Sequence, residues 1–218
     1  ATTEIYTLSL HDALPICINV APEGFLAGLR RLADDQGLLL MFDEVQTGCG
    51  RTGQWFAYQH FGVTPDVMTL AKALCGGVAG GALLTTAEIA PSLRPGMHAA
   101  TFGGNPIAAR AGIAAIEMIE SQNLLENANQ ISELFRQRLN DLKAQCELIK
   151  EVRILGLMIG IELSIEGAPV VQGCMEQNLL VNCTQGTVIR LLPAMNLSEQ
   201  QVHDGCDILA KVIKQQTG

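Results

Sequence analysis

The 218-residue chain is 48% hydrophobic and 17% charged, the balance of a folded globular protein and not of a disordered one. Fourteen basic residues against 22 acidic ones leave a formal charge of −8 with no long run of one sign, which disfavours nucleic acids and acidic membranes as partners. No apolar stretch reaches the roughly 18 residues needed to span a bilayer; the 7 cysteines form no CxxC pair and the 4 histidines are dispersed, predicting reduced thiols, a cytoplasmic setting and no structural metal.

Residues 1–16, ATTEIYTLSLHDALPI, lack the basic start and continuous apolar core of a signal peptide. They resemble the translated read-through of a sequencing-library adapter and are expected to be non-native; a divergent N-terminal arm is the alternative. From Pro22, the apolar residues Phe25, Leu26, Leu29 and Leu32 recur at helical spacing and Gly37 stands where a C-cap belongs. An amphipathic helix feeding a buried strand over 38–42 follows, one unit of a parallel α/β sheet. Asp43 then lies at the carboxyl end of that strand, where open α/β sheets gather ligands. The glycines of Gly48-Cys49-Gly50-Arg51-Thr52-Gly53 match GxGxxG formally. A dinucleotide loop joins strand to helix directly, whereas DEVQT intervenes here, and the next acid, Asp66, comes only 13 residues after Gly53. That reading is disfavoured and ranks a distant third.

A strand over 66–70 leads to Lys72, set among Leu70, Ala71, Ala73 and Leu74. Such surroundings predict a half-buried ammonium, and desolvation turns an amine into a nucleophile able to form a Schiff base. Gly76, Gly77, Gly80 and Gly81 permit close backbone approach before a strand over 81–85 and a short helix over 87–93. His98 reads as a polar loop residue. Asn105 and Pro106 supply the cap and first turn of a helix over 107–119, and a second helix over 124–146 carries Ile131, Leu134, Phe135, Leu139 and Leu142 at helical spacing. Residues 147–163 read as strands broken by Gly156 and Gly160, 170–177 as helix, 179–183 and 188–192 as extended, and Ser198 with Gln201 as a capping box opening a last helix. An α/β domain over 17–122 followed by a smaller α+β domain over 123–218 is the expected organisation. In the second, Arg190 stands in VIRLLP among aliphatic neighbours; its guanidinium needs a partner, and its planar fork matches a carboxylate.

FDEVQTGCGRTG, TLAKALCGG, TFGGNP at 101–106 and VIRLLP at 188–193 occur in an order that resembles the class III, fold type I pyridoxal-phosphate aminotransferases. The acetylornithine branch is the most similar, and the ornithine, succinylornithine and 4-aminobutyrate branches share most of these motifs. The resemblance runs from about Ile18 to the end and covers the C-terminal half or so of such an enzyme. It implies a large mixed or parallel-sheet domain with a smaller α+β domain, pyridoxal 5'-phosphate as cofactor, and ping-pong transfer of an ω-amino group from N-acetylornithine to 2-oxoglutarate. By resemblance Lys72 forms the Schiff base, Asp43 keeps the pyridine nitrogen protonated, Gln46 reaches the phenolic oxygen and Val45 packs on one ring face. Thr101 binds the phosphate of the neighbouring subunit's cofactor in a homodimer, and Arg190 takes the substrate carboxylate. Plainer roles stay open: a snorkelling Lys72, a core Val45, a loop Gln46, simple capping in the Thr101 motif, a structural ion pair at Arg190. AGGA at 79–82 departs from the proline-isoleucine pair usual in the family. The chain by itself is expected to bind cofactor weakly and turn over negligibly, or to be a non-catalytic remnant.

Overall fold

The computed structural model describes residues 18–97 and 99–217; the expectations for residues 1–16 and for His98 lie outside these. The chain folds into two compact units, and Gln122 to Asn123 is one of the points at which it passes between them.

In the first unit, residues 21–49 and 54–122, helix α1 spans Phe25–Gln36 and ends on Gly37 at φ 64°, whose left-handed backbone lets its N–H reach the carbonyls of Ala33 and Asp34. Leu26 and Ala33 are buried, with Leu29 packed beside them, whereas Phe25 and Leu32 stay 41% and 49% exposed. At 3.6 residues per turn those two lie about a quarter-turn away from the buried stripe, which corrects the predicted face. Against α1 pack Leu40 and Phe42, leading into strand β1, Met41–Asp43. Strand β2, Val67–Leu70, runs parallel to β1 in the register Asp43↔Thr69, and β3, Ala82–Thr85, runs antiparallel to β2. Arg30 of α1 bonds Asp66 over 2.8 Å, and the same carboxylate accepts the Leu40 N–H over 2.7 Å, so the entries of β1 and β2 are tied together.

The helix expected over 87–93 is only a 3₁₀ turn, Ala90–Ser92, because Pro91 has no N–H to continue it. Helix α2, Pro106–Ser121, is capped by Asn105, whose Oδ1 accepts the N–H groups of Ile107 and Ala108. It packs on the 3₁₀ turn Lys72–Cys75 through Gly112, where an added Cβ would lie 3.4 Å from the Leu74 carbonyl.

The second unit comprises residues 123–217, the short stretch 50–53 and residues 18–20. Its sheet is antiparallel in the order β4 (Ile149–Leu155), β5 (Met158–Leu163), β7 (Val188–Leu191), β6 (Asn182–Thr184). Helices α3 (Leu124–Gln145), α4 (Ala168–Glu176) and α5 (Glu199–Lys214) build its core with that sheet; Leu139, Ile159, Ile161, Leu163, Ile189 and Ile213 are fully enclosed. Gly156 does make the β4–β5 turn, at φ 56°. Gly160 does not break a strand: it lies inside β5, paired with Arg153 of β4 on one side and Arg190 of β7 on the other. The Ser198–Gln201 capping box forms as read. Among the described residues no helix is long and apolar enough to cross a membrane, no group of three His, Cys, Asp or Glu is placed to hold a metal, and six cysteines are free.

Candidate active site

The parallel pairing of β1 and β2 sets their carboxyl ends side by side, and the first unit gathers its chemistry there. Asp43 ends β1 exposed. Its Oδ1 accepts the Val45 N–H over 2.9 Å and the Thr69 hydroxyl over 3.1 Å, while Oδ2 has no partner among the described residues. One oxygen fixes the carboxylate and the other faces outward as an acceptor.

Lys72 follows β2 directly, and its backbone is left-handed at φ 47°. A non-glycine residue there costs on the order of 1 kcal/mol, a strain that concentrates at functional positions. The side chain is exposed and makes no hydrogen bond or ion pair among the described residues. The half-buried lysine expected from its neighbours is therefore corrected. Leu70 and Cys75 turn inward, but the left-handed step at Lys72 carries its side chain away from them.

Between the two strands' ends lies a turn held from within. Glu44 is only 3% exposed, and it accepts a hydrogen bond from the Thr47 hydroxyl, from Ala57 N–H over 3.0 Å and from Tyr58 N–H over 2.9 Å. It thereby caps the 3₁₀ turn Ala57–Phe61 and fixes the backbone on both sides of Val45 and Gln46, which are half-buried. Sequence reading missed Glu44. The signal was the period-two alternation Phe42 in, Asp43 out, Glu44 in.

Gly80 accounts for the departure at 79–82: a Cβ there would lie 2.4 Å from Cys75 Sγ, so the sulfur fills the volume that a side chain at 80 would need. Residues 45–52 form successive turns that lead to the short 3₁₀ turn Ala57–Phe61 and not to an α-helix, which disfavours a dinucleotide loop. Thr101 is exposed ahead of Asn105 and makes no hydrogen bond to Asp43, Gln46 or Lys72 among the described residues. In the second unit, Arg190 is half-buried on β7 and its Nε donates to Asn182 Oδ1 over 3.2 Å.

The sequence model of the class-III aminotransferases matches residues 17–213. The chain belongs to the class-III aminotransferase family. Acetylornithine aminotransferase of Methanocaldococcus jannaschii is 45% identical over 185 residues, 85% of this chain and 46% of that protein. Acetylornithine aminotransferase 1 of Bordetella bronchiseptica is 46% identical over 191 residues, 88% and 49% of the two. Among solved structures, acetylornithine aminotransferase of Elizabethkingia anophelis superposes with TM-score 0.86 at 35% identity, covering 91% of this chain and 51% of that one. An ornithine aminotransferase of Toxoplasma gondii, described with partial occupancy of pyridoxal phosphate at its active site, gives TM-score 0.86 at 31% identity over 91% and 48%. The architecture is thus that of the class-III, fold type I aminotransferases, and the chain spans about half the length of the curated relatives it matches.

Proposed function

We propose that this chain carries the cofactor lysine and substrate arginine of a cytoplasmic, homodimeric pyridoxal-phosphate aminotransferase that moves the ω-amino group of N-acetylornithine to 2-oxoglutarate. N-acetylglutamate semialdehyde and glutamate are the products, as a step of arginine biosynthesis. The observation that carries the reading is the placement of Asp43 and Lys72 at the adjacent carboxyl ends of two parallel strands, one oxygen of Asp43 locked and the other open.

The donor set fits the cofactor. Asp43 Oδ2 would accept the pyridine N–H and favour its protonated form, while Oδ1, bonded to Val45 and Thr69, keeps the carboxylate from turning away. The Gln46 amide would reach the phenolic oxygen, and Val45 would cover one ring face. When bound, the protonated ring supplies an electron sink for the carbon that loses its proton. Lys72 Nζ, an exposed amine directly after β2, would hold the cofactor's aldehyde and, when free, would serve as the base that moves a proton at the substrate carbon. Thr101 serves the neighbouring subunit's phosphate, and Arg190 orients substrate carboxylates through its planar fork. Because the chain spans about half of its relatives, the 218 residues alone are expected to turn over negligibly.

Among the solved structures an acetylornithine aminotransferase lies at 35% identity and ornithine aminotransferases at 30% and 31%, and the curated relatives at 45% and 46% are named acetylornithine aminotransferase, which favours that donor. The test is to express a full-length protein containing this segment with pyridoxal phosphate, reduce it with borohydride and map the modified peptide. The cofactor fixed on Lys72, with turnover of N-acetylornithine exceeding that of ornithine, is the expected result. An adduct on another lysine, or none in a folded protein, would refute the assignment.

A further inference from the structure

The stretch 50–53 follows the DEVQ turn in sequence yet folds into the second unit. It is held there on every side. The Arg51 carbonyl accepts the Leu157 N–H over 2.9 Å, and the Gly53 carbonyl accepts the Asn129 amide over 2.9 Å. Gly50, at φ 88°, lies against Met195, and an added Cβ would stand 2.4 Å from its Cε. From this seat Arg51 Nη1 donates to the carbonyl of Pro193, just beyond β7. The guanidinium is half-buried, forms no ion pair among the described residues, and burial lowers its pKa, so its grip on a neutral carbonyl is its main compensation. The chain beyond Pro193 is pinned as well, because Asn127 Nδ2 donates to the carbonyls of Met195 (2.7 Å) and Leu197 (3.2 Å).

We propose that Arg51 is a positioning residue for Arg190: by holding the Pro193 carbonyl it fixes the end of β7, and with it the angle at which Arg190 presents its fork to a substrate carboxylate. Ladder pairing of β7 with β5 stops at Leu191↔Ile159, so nothing in the sheet sets the direction of the chain from Leu192 onward. Arg51 supplies that constraint on the downstream side, and Asn182, bonded to Arg190 Nε, supplies it on the other. The same turn that carries Val45 and Gln46 therefore continues into the anchor of the carboxylate site. The inference rests on the aminotransferase reading, with Arg190 as the carboxylate ligand.

The experiment uses full-length holoenzyme and the variants Arg51→Met, Arg51→Lys, Arg190→Lys and the double variant Arg51→Met/Arg190→Lys, comparing KM for 2-oxoglutarate, kcat and the visible cofactor band. Arg51→Met is expected to raise KM roughly tenfold with kcat within about twofold and the band unchanged. Arg51→Lys, which keeps a donor, recovers most of the loss, and Arg51→Met adds little on top of Arg190→Lys. If Arg51→Met does not fold, Arg51→Gln, too short to reach Pro193, takes its place in the comparison. An unchanged KM, or KM, kcat and band all deteriorating together, overturns the inference. Should Arg190→Lys itself leave KM for 2-oxoglutarate unchanged, it is the underlying functional reading that fails; a raised KM there with an inert Arg51→Met defeats this proposal alone.

Discussion

The hydroxyl of Thr69 reaches across two parallel strands to Oδ1 of Asp43, 3.1 Å away, and shares that oxygen with the N–H of Val45. Replacing Thr69 by valine keeps the shape and removes the bond. One hydrogen bond to a carboxylate corresponds to about 1–2 kcal/mol, so the cofactor Kd of the full-length protein should rise by roughly five- to thirtyfold. Asp43→Asn should cost turnover far more, about a hundredfold or beyond, because the neutral amide no longer supplies the charge that would keep the ring nitrogen protonated. Absorbance titration and steady-state rates check both, and a Thr69→Val protein with unaltered affinity would show that the bond does not orient the carboxylate.

Glu44 is enclosed with three donors aimed at it. Glu44→Gln turns an NH₂ group toward N–H donors and should lower stability by about 2–4 kcal/mol. Urea unfolding gives the number directly, and a loss below about 0.5 kcal/mol would mean that the turn holds itself.

Gly80 and Cys75 should behave as a coupled pair. Gly80→Ala places a methyl 2.4 Å from the sulfur and is expected to cost about 1–3 kcal/mol. In a Cys75→Ala background the nearest atom is the Cβ, 3.4 Å away, and most of that cost should vanish. A double-mutant cycle with no coupling would rule out the steric explanation of the glycine.

Alkaline pH offers a different readout. Burial pushes the thiols of Cys174 and Cys206 up to about 11 from an ordinary value of 9.0. Their folded-state values are raised, so the stabilisation is complete below the unfolded value and declines as pH climbs toward the folded one. Between pH 9 and 11 the unfolded chain releases protons that the native chain retains, and stability should fall by about 1.4 kcal/mol per pH unit for each thiol. Cys174→Ala/Cys206→Ala should flatten that slope in a denaturation series; an unchanged slope would assign it to other groups.

Much of the candidate site was legible because it depends on local pattern. The apolar run before Asp43 marked a strand end, Asn105-Pro106 a helix start, and Ser198 with Gln201 a capping box. What escaped depends on tertiary placement. Thr69 becomes the partner of Asp43 only through the β1–β2 register. The run around Lys72 looked like a burying environment until a left-handed step turned the side chain outward. Gly160 read as a breaker because glycine weakens strands on average, yet pairing with β4 on one side and β7 on the other keeps it in the strand. Nothing local announced that residues 50–53 belong with residues 123–217.

That last arrangement bears on any attempt to cut the protein in two. Severing the chain after Gln122 would look natural from the helices on either side, yet a piece beginning at Asn123 would leave behind Arg51, Thr52 and Gly53. The Leu157 N–H and the Asn129 amide would lose their acceptors, and the Pro193 carbonyl would lose its donor. Around Gly156, whose missing side chain fits against the backbone of Thr52, a slot would open. A piece cut at Asn123 therefore omits part of the unit it belongs to, whose boundaries have to be drawn through space and not along the sequence.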